Sequence, residues 1–221
     1  MKKLALLSLL LAVSSVSAYA EGNKKLNISL LTGMSMPTGG KWNDNGGTSR
    51  DLGYRNSFST GFQADYELSD GLALGLEIGR DWKHMPHDTG NIESSDKCGN
   101  VDILRITPYA RLFKKFDRLT IYEMMGIGLY EVDRSELSQS VWILPIEERY
   151  SSSKDYLGFN LGVGATYAVT SHLDLGLDLR WHHIFSNMEV FDASTGGSSF
   201  AQIPINNIVP SFKIQYAFEV L

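Results

Sequence analysis

The chain has 221 residues, with 25 acidic against 20 basic side chains and a formal net charge of −5. That length suits one large domain, and an acidic chain without a basic stripe lacks the electrostatic footprint of a nucleic-acid binder. Cys98 is the single cysteine, which excludes an intrachain disulfide and leaves a loop residue as its plainest reading.

Lys2 and Lys3 open the chain, an apolar run follows from Leu4 to Val13, and small residues lead to Ala18-Tyr19-Ala20. A charged start, a short apolar segment and an A-x-A site are the three parts of a secretory signal peptide. The apolar run is too short for a bilayer-spanning helix, which needs about 20 residues, so a retained membrane anchor is the weaker reading. Residues 1–20 are expected to be cleaved, leaving 21–221 as one β-domain. Losing Lys2 and Lys3 takes the net charge to about −7. Glu21, not a cysteine, stands directly after the cleavage site, so no lipid anchor is expected there, and no later stretch is apolar enough for a transmembrane helix.

Beyond the signal, apolar and polar residues alternate, the mark of a strand with two unlike faces. Leu26 to Met36 alternates loosely. Asn56 to Leu68 sets Phe58, Phe62, Ala64, Tyr66 and Leu68 against Ser57, Ser59, Gln63, Asp65 and Glu67. Leu72 to Trp82 sets Leu74, Leu76, Ile78 and Trp82 against Glu77 and Asp81. Val101 to Phe113 sets Leu104, Ile106 and Leu112 against Arg105, Tyr109 and Arg111. Leu119 to Tyr130 alternates around Ile121, Met125 and Ile127, but Glu123 breaks the pattern. Tyr156 to Val169, Leu173 to His183 and Ile208 to Val220 alternate strictly, the last with Phe212, Ile214, Tyr216 and Phe218 opposite Ser211, Lys213, Gln215 and Glu219.

These are eight strands of 11 to 14 residues. Ordinary globular strands run about five or six, whereas a tilted membrane strand needs about 9 to 11. Their connections alternate. Ser69-Asp70-Gly71, Lys114 to Arg118 and Thr170-Ser171-His172 are tight turns. Pro37 to Arg55, Lys83 to Asn100, Glu131 to Asp155 and Ile184 to Asn206 are long and rich in Gly, Ser, Asn and Asp. Short periplasmic turns facing long extracellular loops are the pattern of outer-membrane barrels. Aromatics add two belts on the apolar faces. Tyr66, Tyr167, Tyr216 and Phe218 lie at the turn ends, and Phe58, Trp82 and Trp181 at the loop ends, as ring systems favour both membrane interfaces. The expected fold is therefore all-β: an eight-stranded antiparallel up-and-down transmembrane β-barrel. A soluble sandwich built on the same strands explains neither the belts nor the loop alternation.

If the apolar face meets lipid, the polar face fills the barrel, because eight strands leave an interior just wide enough for side chains. Buried charges persist only when paired. An interior network is expected from Asp65, Glu77, Asp81, Arg105, Arg111, Asp178, Arg180 and Lys213. In it Glu77 and Asp81 approach Arg105, while Asp178 and Arg180 approach Lys213. Such a network is either a polar plug, the preferred reading, or an ion pathway.

Tyr109-Ala110-Arg111, Gly162-Val163-Gly164-Ala165-Thr166-Tyr167 and the strand and loop pattern resemble the small outer-membrane β-barrel proteins. That group includes the OmpA transmembrane domain, OmpX/Ail, OmpW and the neisserial surface protein. The resemblance covers the chain after its signal. It departs at the C-terminus, where Phe218 and Val220 hold alternate positions and Leu221, not an aromatic residue, comes last. It implies residence in a Gram-negative outer membrane, contact with lipopolysaccharide and handling by the barrel assembly machinery.

Three functions fit such a barrel. A structural or surface-interaction scaffold would work through its loops, and the run Val141-Trp142-Ile143-Leu144-Pro145-Ile146 is a candidate contact, unless the flanking strands simply extend there and pair. A narrow route for small molecules, as proposed for OmpW-like barrels, would call for an apolar upper lumen. A lipid A modifying enzyme would need a palmitoyltransferase's apolar lumen or a deacylase's His, Ser and acid; His183, Ser186 and Glu189 do not match that spacing. His182 and His183 point to opposite faces of a strand, and His84, His87 and Asp88 are a weak metal set. We expect no enzyme, metal or cofactor. Arg80 and Lys83, near the loop end of their strand, are candidates for lipopolysaccharide phosphates, since Arg forks match phosphate geometry.

Overall fold

The computed structural model describes residues 24–38, 55–85, 100–137, 149–186, 189–192, 197–200 and 205–220. Eight long strands close into one antiparallel barrel. They are β1 (Lys24–Pro37), β2 (Ser57–Ser69), β3 (Leu72–His84), β4 (Val101–Phe116), β5 (Leu119–Leu137), β6 (Arg149–Ala168), β7 (Leu173–Ile184) and β10 (Ile205–Val220). Each pairs with its chain neighbours, and β1 closes on β10. Closure leaves no strand edge, the condition for placing a sheet in hydrocarbon, where unpaired amides cost several kcal/mol.

The register fixes the shape. Stepping between paired residues from Leu26 passes Tyr66, Leu74, Ala110, Met125, Leu161, Trp181 and Ile208, and returns to β1 at Met36, ten residues above the start. A stagger of this kind tilts strands by about 35–45° from the barrel axis, so each needs its full length to cross. All residues on that path face outward, which shows how period-2 patterning turns the sequence's alternation into an apolar wall. Leu30, Ile127, Leu157 and Leu177 are each more than half exposed on it.

Two of the three turns are tighter than the sequence suggests, while the β6–β7 turn is one residue longer, Val169 to His172. Gly71 carries a φ of 109°, and Asp117 one of 52°, so the β4–β5 turn occupies Asp117-Arg118 alone and Lys114 to Phe116 belong to β4. Asp and Gly tolerate that left-handed backbone best. The expected loop Glu131 to Asp155 is corrected more deeply. β5 and β6 keep pairing out to Leu137 and Arg149. The run Val141 to Ile146 lies outside the described residues. The fourth long connection contains a small hairpin, β8 (Glu189–Asp192) with β9 (Gly197–Phe200).

Loose alternation in β1 has a simple cause: Leu31 faces inward and is buried, while Thr32 faces out. Glu123 lies on the outer face, exposed between Ile121 and Met125.

Candidate functional site

The lumen is the chemically dense part of the molecule. Asp65, Glu77, Asp81, Asp178, Arg105, Arg111, Arg180 and Lys213 are all at most 3% exposed. Four carboxylates thus meet four cations, with no net charge enclosed. Charges survive burial on such terms, because one unpaired ion in low dielectric costs several kcal/mol.

The pairing follows from register. Glu77 stands opposite Gln63 and Asp81 opposite Ser59 across β2–β3, and Arg105 stands opposite Gly79, midway between them on β4. Arg105 donates from Nε to Glu77 at 2.9 Å and from Nη1 to Asp81 at 2.5 Å. Gly79 makes this possible, since a Cβ there would meet the guanidinium at 2.6 Å. Asp81 also accepts from Ser59 at 2.7 Å and Ser35 at 3.0 Å. Glu77 accepts from Gln63 at 2.9 Å and forms an ion pair with Arg180 from across the lumen. Arg180 also donates to Asp178 at 2.7 Å, which accepts from Tyr122 at 2.7 Å. Nearer the turns, Asp65 accepts from Arg111 at 2.6 Å, Tyr109 at 3.0 Å and Asn27 at 3.0 Å.

One expected pairing differs. Asp178 and Arg180 bond to each other, and Lys213 forms no ion pair among the described residues. It sits opposite Gly176, and its Nζ lies 4.8 Å from the centroid of the Tyr122 ring. Tyr122 and Arg180 have taken the oxygens of Asp178, and the aromatic face serves as the ammonium's partner.

Above the ionic layers, at the loop end, an apolar cluster shares the lumen with buried His84, Ser57 and Asn207. Val101, Ile103, Tyr130, Val132, Ile184 and Ile205 pack together, each at most 4% exposed, with Tyr156 against them. The parity of β4 already places Val101 and Ile103 on the face of Arg105; Ile184 and Ile205 are hidden in the sequence because they border a stretch with loop composition.

The histidines separate. His84 is buried at the end of β3, its Nε2 2.9 Å from Ser57 Oγ, while His87 and Asp88 lie outside the described residues. His182 faces the lumen beside the Tyr130 hydroxyl at 3.1 Å. His183 faces outward among Phe159, Trp181 and Phe185. Ser186 is buried, and Glu189 falls in β8. No group of three His, Cys, Asp or Glu among the described residues is placed to hold a metal ion.

On the outer wall, Tyr66, Trp82, Tyr167, Trp181, Tyr216 and Phe218 all point away from the lumen, Trp181 at 37% and Tyr167 at 50% exposure. Arg80 lies on this wall at the loop end, its guanidinium 4.3 Å over the Trp82 ring and 3.4 Å from Asp102. A β-bulge follows between Asp81 and His84. Lys83 takes a φ of 53° there, and its N–H donates to Asp102 at 2.7 Å. The bulge keeps both Trp82 and Lys83 exposed.

A closed eight-stranded barrel with an apolar wall, two aromatic belts and a buried ionic interior is an integral outer-membrane barrel. The chain belongs to the outer membrane protein beta-barrel domain family, whose sequence profile matches residues 6–203. Among curated proteins, no sequence matches this chain. Solved structures of similar fold include a major outer membrane protein from Thermus thermophilus, with TM-score 0.60 and 14% identity over 88% of this chain and 99% of that one. Neisserial surface protein A gives 0.56 and 15%, over 90% and 100%. OprG from Pseudomonas aeruginosa gives 0.55 and 12%, over 91% and 98%. The family and its fold place the protein in the bacterial outer membrane.

Proposed function

We propose that this barrel is a closed scaffold whose extracellular loops carry its interactions, and that it performs no catalysis. One observation carries the reading: among the described residues the mid-height of the lumen is occupied by buried charged side chains, most of them ion-paired, with a buried apolar cluster toward the loop end. A pore needs a continuous wet path; this interior is packed by its own side chains, as narrow barrels can be. The signal at residues 1–20 is cleaved on export, the turn end faces the periplasm, and the assembly machinery reads the C-terminal strand. The refolded mature chain is expected to show no reproducible single-channel conductance in planar bilayers, with heat-modifiable migration on a gel as the folding control. Steady conductance from folded protein would replace the scaffold with a channel.

A narrow route for small apolar molecules is the second reading. The apolar cluster of Val101, Ile103, Tyr130, Val132, Ile184 and Ile205 favours it, because an apolar solute could pack against that side of the lumen.

Arg80 and Lys83 bind lipopolysaccharide phosphates in this account. Asp102 holds the bulge that presents them, and Arg80 remains 40% exposed in its side chain. The double variant Arg80→Gln, Lys83→Gln should lose most of the rise in unfolding temperature that added lipopolysaccharide gives the native protein. An undiminished rise in the variant would remove these two residues from the contact.

A further inference from the structure

Among the described residues, Glu123 is the one acidic side chain that faces lipid between the two aromatic belts. It is exposed on β5 between Ile121 and Met125, opposite Leu112 on β4 and Val163 on β6. It lies four residues into β5 from Leu119, about 10 Å up the wall at the rise and tilt of a barrel strand. Tyr167, of the turn-side belt, pairs with Leu119 below it. Hydrocarbon does not solvate charge, so an acidic group at that depth marks a functional element by default. Within the described residues its carboxylate has no hydrogen-bond or ion-pair partner.

A cation stands close by on the same face. Lys114 pairs with Ile121, two residues nearer the turn than the Leu112–Glu123 pair. Lys114 and Glu123 are therefore diagonal neighbours, about 7–8 Å apart. They do not bond to each other: the Lys114 ammonium lies 5.3 Å from the centroid of the Phe116 ring, on the turn side. The wall thus presents a cation and, above it, an anion, both exposed. Glu123 also forms the turn-side edge of a groove of about 510 Å³ on the outer wall. The groove follows Ala110, Met125, Leu161, Trp181 and Ile208 across five strands, four strand spacings or about 19 Å. That length suits a fatty acyl chain. Apart from Glu123 its outward lining is apolar, since Arg180 turns its guanidinium into the lumen.

We propose that this groove is a site for one phosphatidylethanolamine molecule of the periplasmic leaflet. Its acyl chain lies along the apolar lining, its ammonium meets Glu123 and its phosphate meets Lys114. The choice of leaflet rests on the orientation proposed above, with the turn end in the periplasm. Charge selects the headgroup. A zwitterion with a phosphate and a primary ammonium offers each of the two side chains its opposite, and N–H donors on the ammonium match carboxylate oxygens. Phosphatidylglycerol brings no cation for Glu123. Phosphatidylcholine brings a quaternary ammonium, which has no N–H to donate. A second copy of this chain fits less well. A two-fold axis along the membrane normal brings together groups of equal depth, and Lys114 lies nearer the turn than Glu123.

Native mass spectrometry of the mature protein tests this, after release from bilayers holding equal amounts of phosphatidylethanolamine, phosphatidylglycerol and phosphatidylcholine with the same acyl chains. The native protein should retain one phosphatidylethanolamine about tenfold more often than either other lipid, the scale of one charge-assisted hydrogen bond. Glu123→Gln should bring the three lipids to near-equal retention. Lys114→Gln should lower the retention of all three, because all carry the phosphate. Glu131→Gln, at the loop end of β5, should change neither quantity. Heat-modifiable migration confirms that each variant is folded. Equal retention of the three lipids by the native protein, or an unchanged preference in Glu123→Gln, would overturn the site. So would a dimer peak that disappears in Glu123→Gln, which would give the groove to a second copy.

Discussion

Replacing Arg105 with leucine should cost about 3–5 kcal/mol of unfolding free energy in bilayers, because it removes one partner from a buried ion network and strands the rest. Arg105 serves two carboxylates, Glu77 at 2.9 Å and Asp81 at 2.5 Å, and is only 3% exposed. Leucine fills much of the volume, so the loss reads as electrostatics and not as a cavity. Urea unfolding of vesicle-inserted protein, followed by tryptophan fluorescence, measures it. The matching control is Arg80→Leu. That residue also holds a carboxylate, Asp102 at 3.4 Å, but on the exposed outer wall, where ion pairs contribute about 0–1 kcal/mol. Equal losses in the two variants would show that the Arg105 network is open to water.

The second large effect concerns the wall. Leu30→Arg should destabilise by about 2–4 kcal/mol, the cost of arginine near a bilayer midplane on the lipid face of a barrel. Leu30 is 59% exposed and lies between the aromatic belts, opposite Phe62 and Ile214. Leu119→Arg, beside the turn at Arg118, should cost about 0–1 kcal/mol, because at the interface the guanidinium reaches headgroups. The depth dependence is the point: a barrel exposing this wall to water would tolerate both substitutions alike.

Much of this architecture is legible in the amino-acid sequence because a membrane barrel obeys one periodicity throughout. Period-2 alternation assigns Arg105 to the lumen and Leu104 to the wall without any tertiary information. Together with the turn spacing it brings Glu77, Asp81 and Arg105 onto adjacent strands. What alternation does not carry is register across the lumen. Arg180 meets Glu77 from the opposite wall, a contact set by the ten-residue stagger of the closed barrel, so alternation alone pairs Lys213 with a carboxylate that Tyr122 and Arg180 already occupy. Strand ends are hidden for a different reason. Beyond Tyr130 the sequence is mostly charged and polar, Glu131, Asp133, Arg134, Ser135 and Glu136, without apolar–polar alternation, so the extension of β5 and β6 reads as a loop. The inward ring at Ile184 and Ile205 sits where composition turns toward Gly, Ser and Asn. Glu123 escapes the pattern because a carboxylate on the lipid face violates the rule that assigns faces; pairing with Leu112 and Val163 settles it.

The most direct test is the hydration of the lumen itself. Water-to-protein magnetisation transfer, measured by solid-state NMR on guanidinium-labelled protein in bilayers, separates Arg105, Arg111 and Arg180 from the half-buried Arg80 and the exposed Arg118. A filled and closed interior predicts slow or absent transfer to the first three and rapid transfer to the other two. Transfer to Arg105, Arg111 and Arg180 as fast as to Arg118 would mean that the paired charges line a water path, and the scaffold account would be wrong.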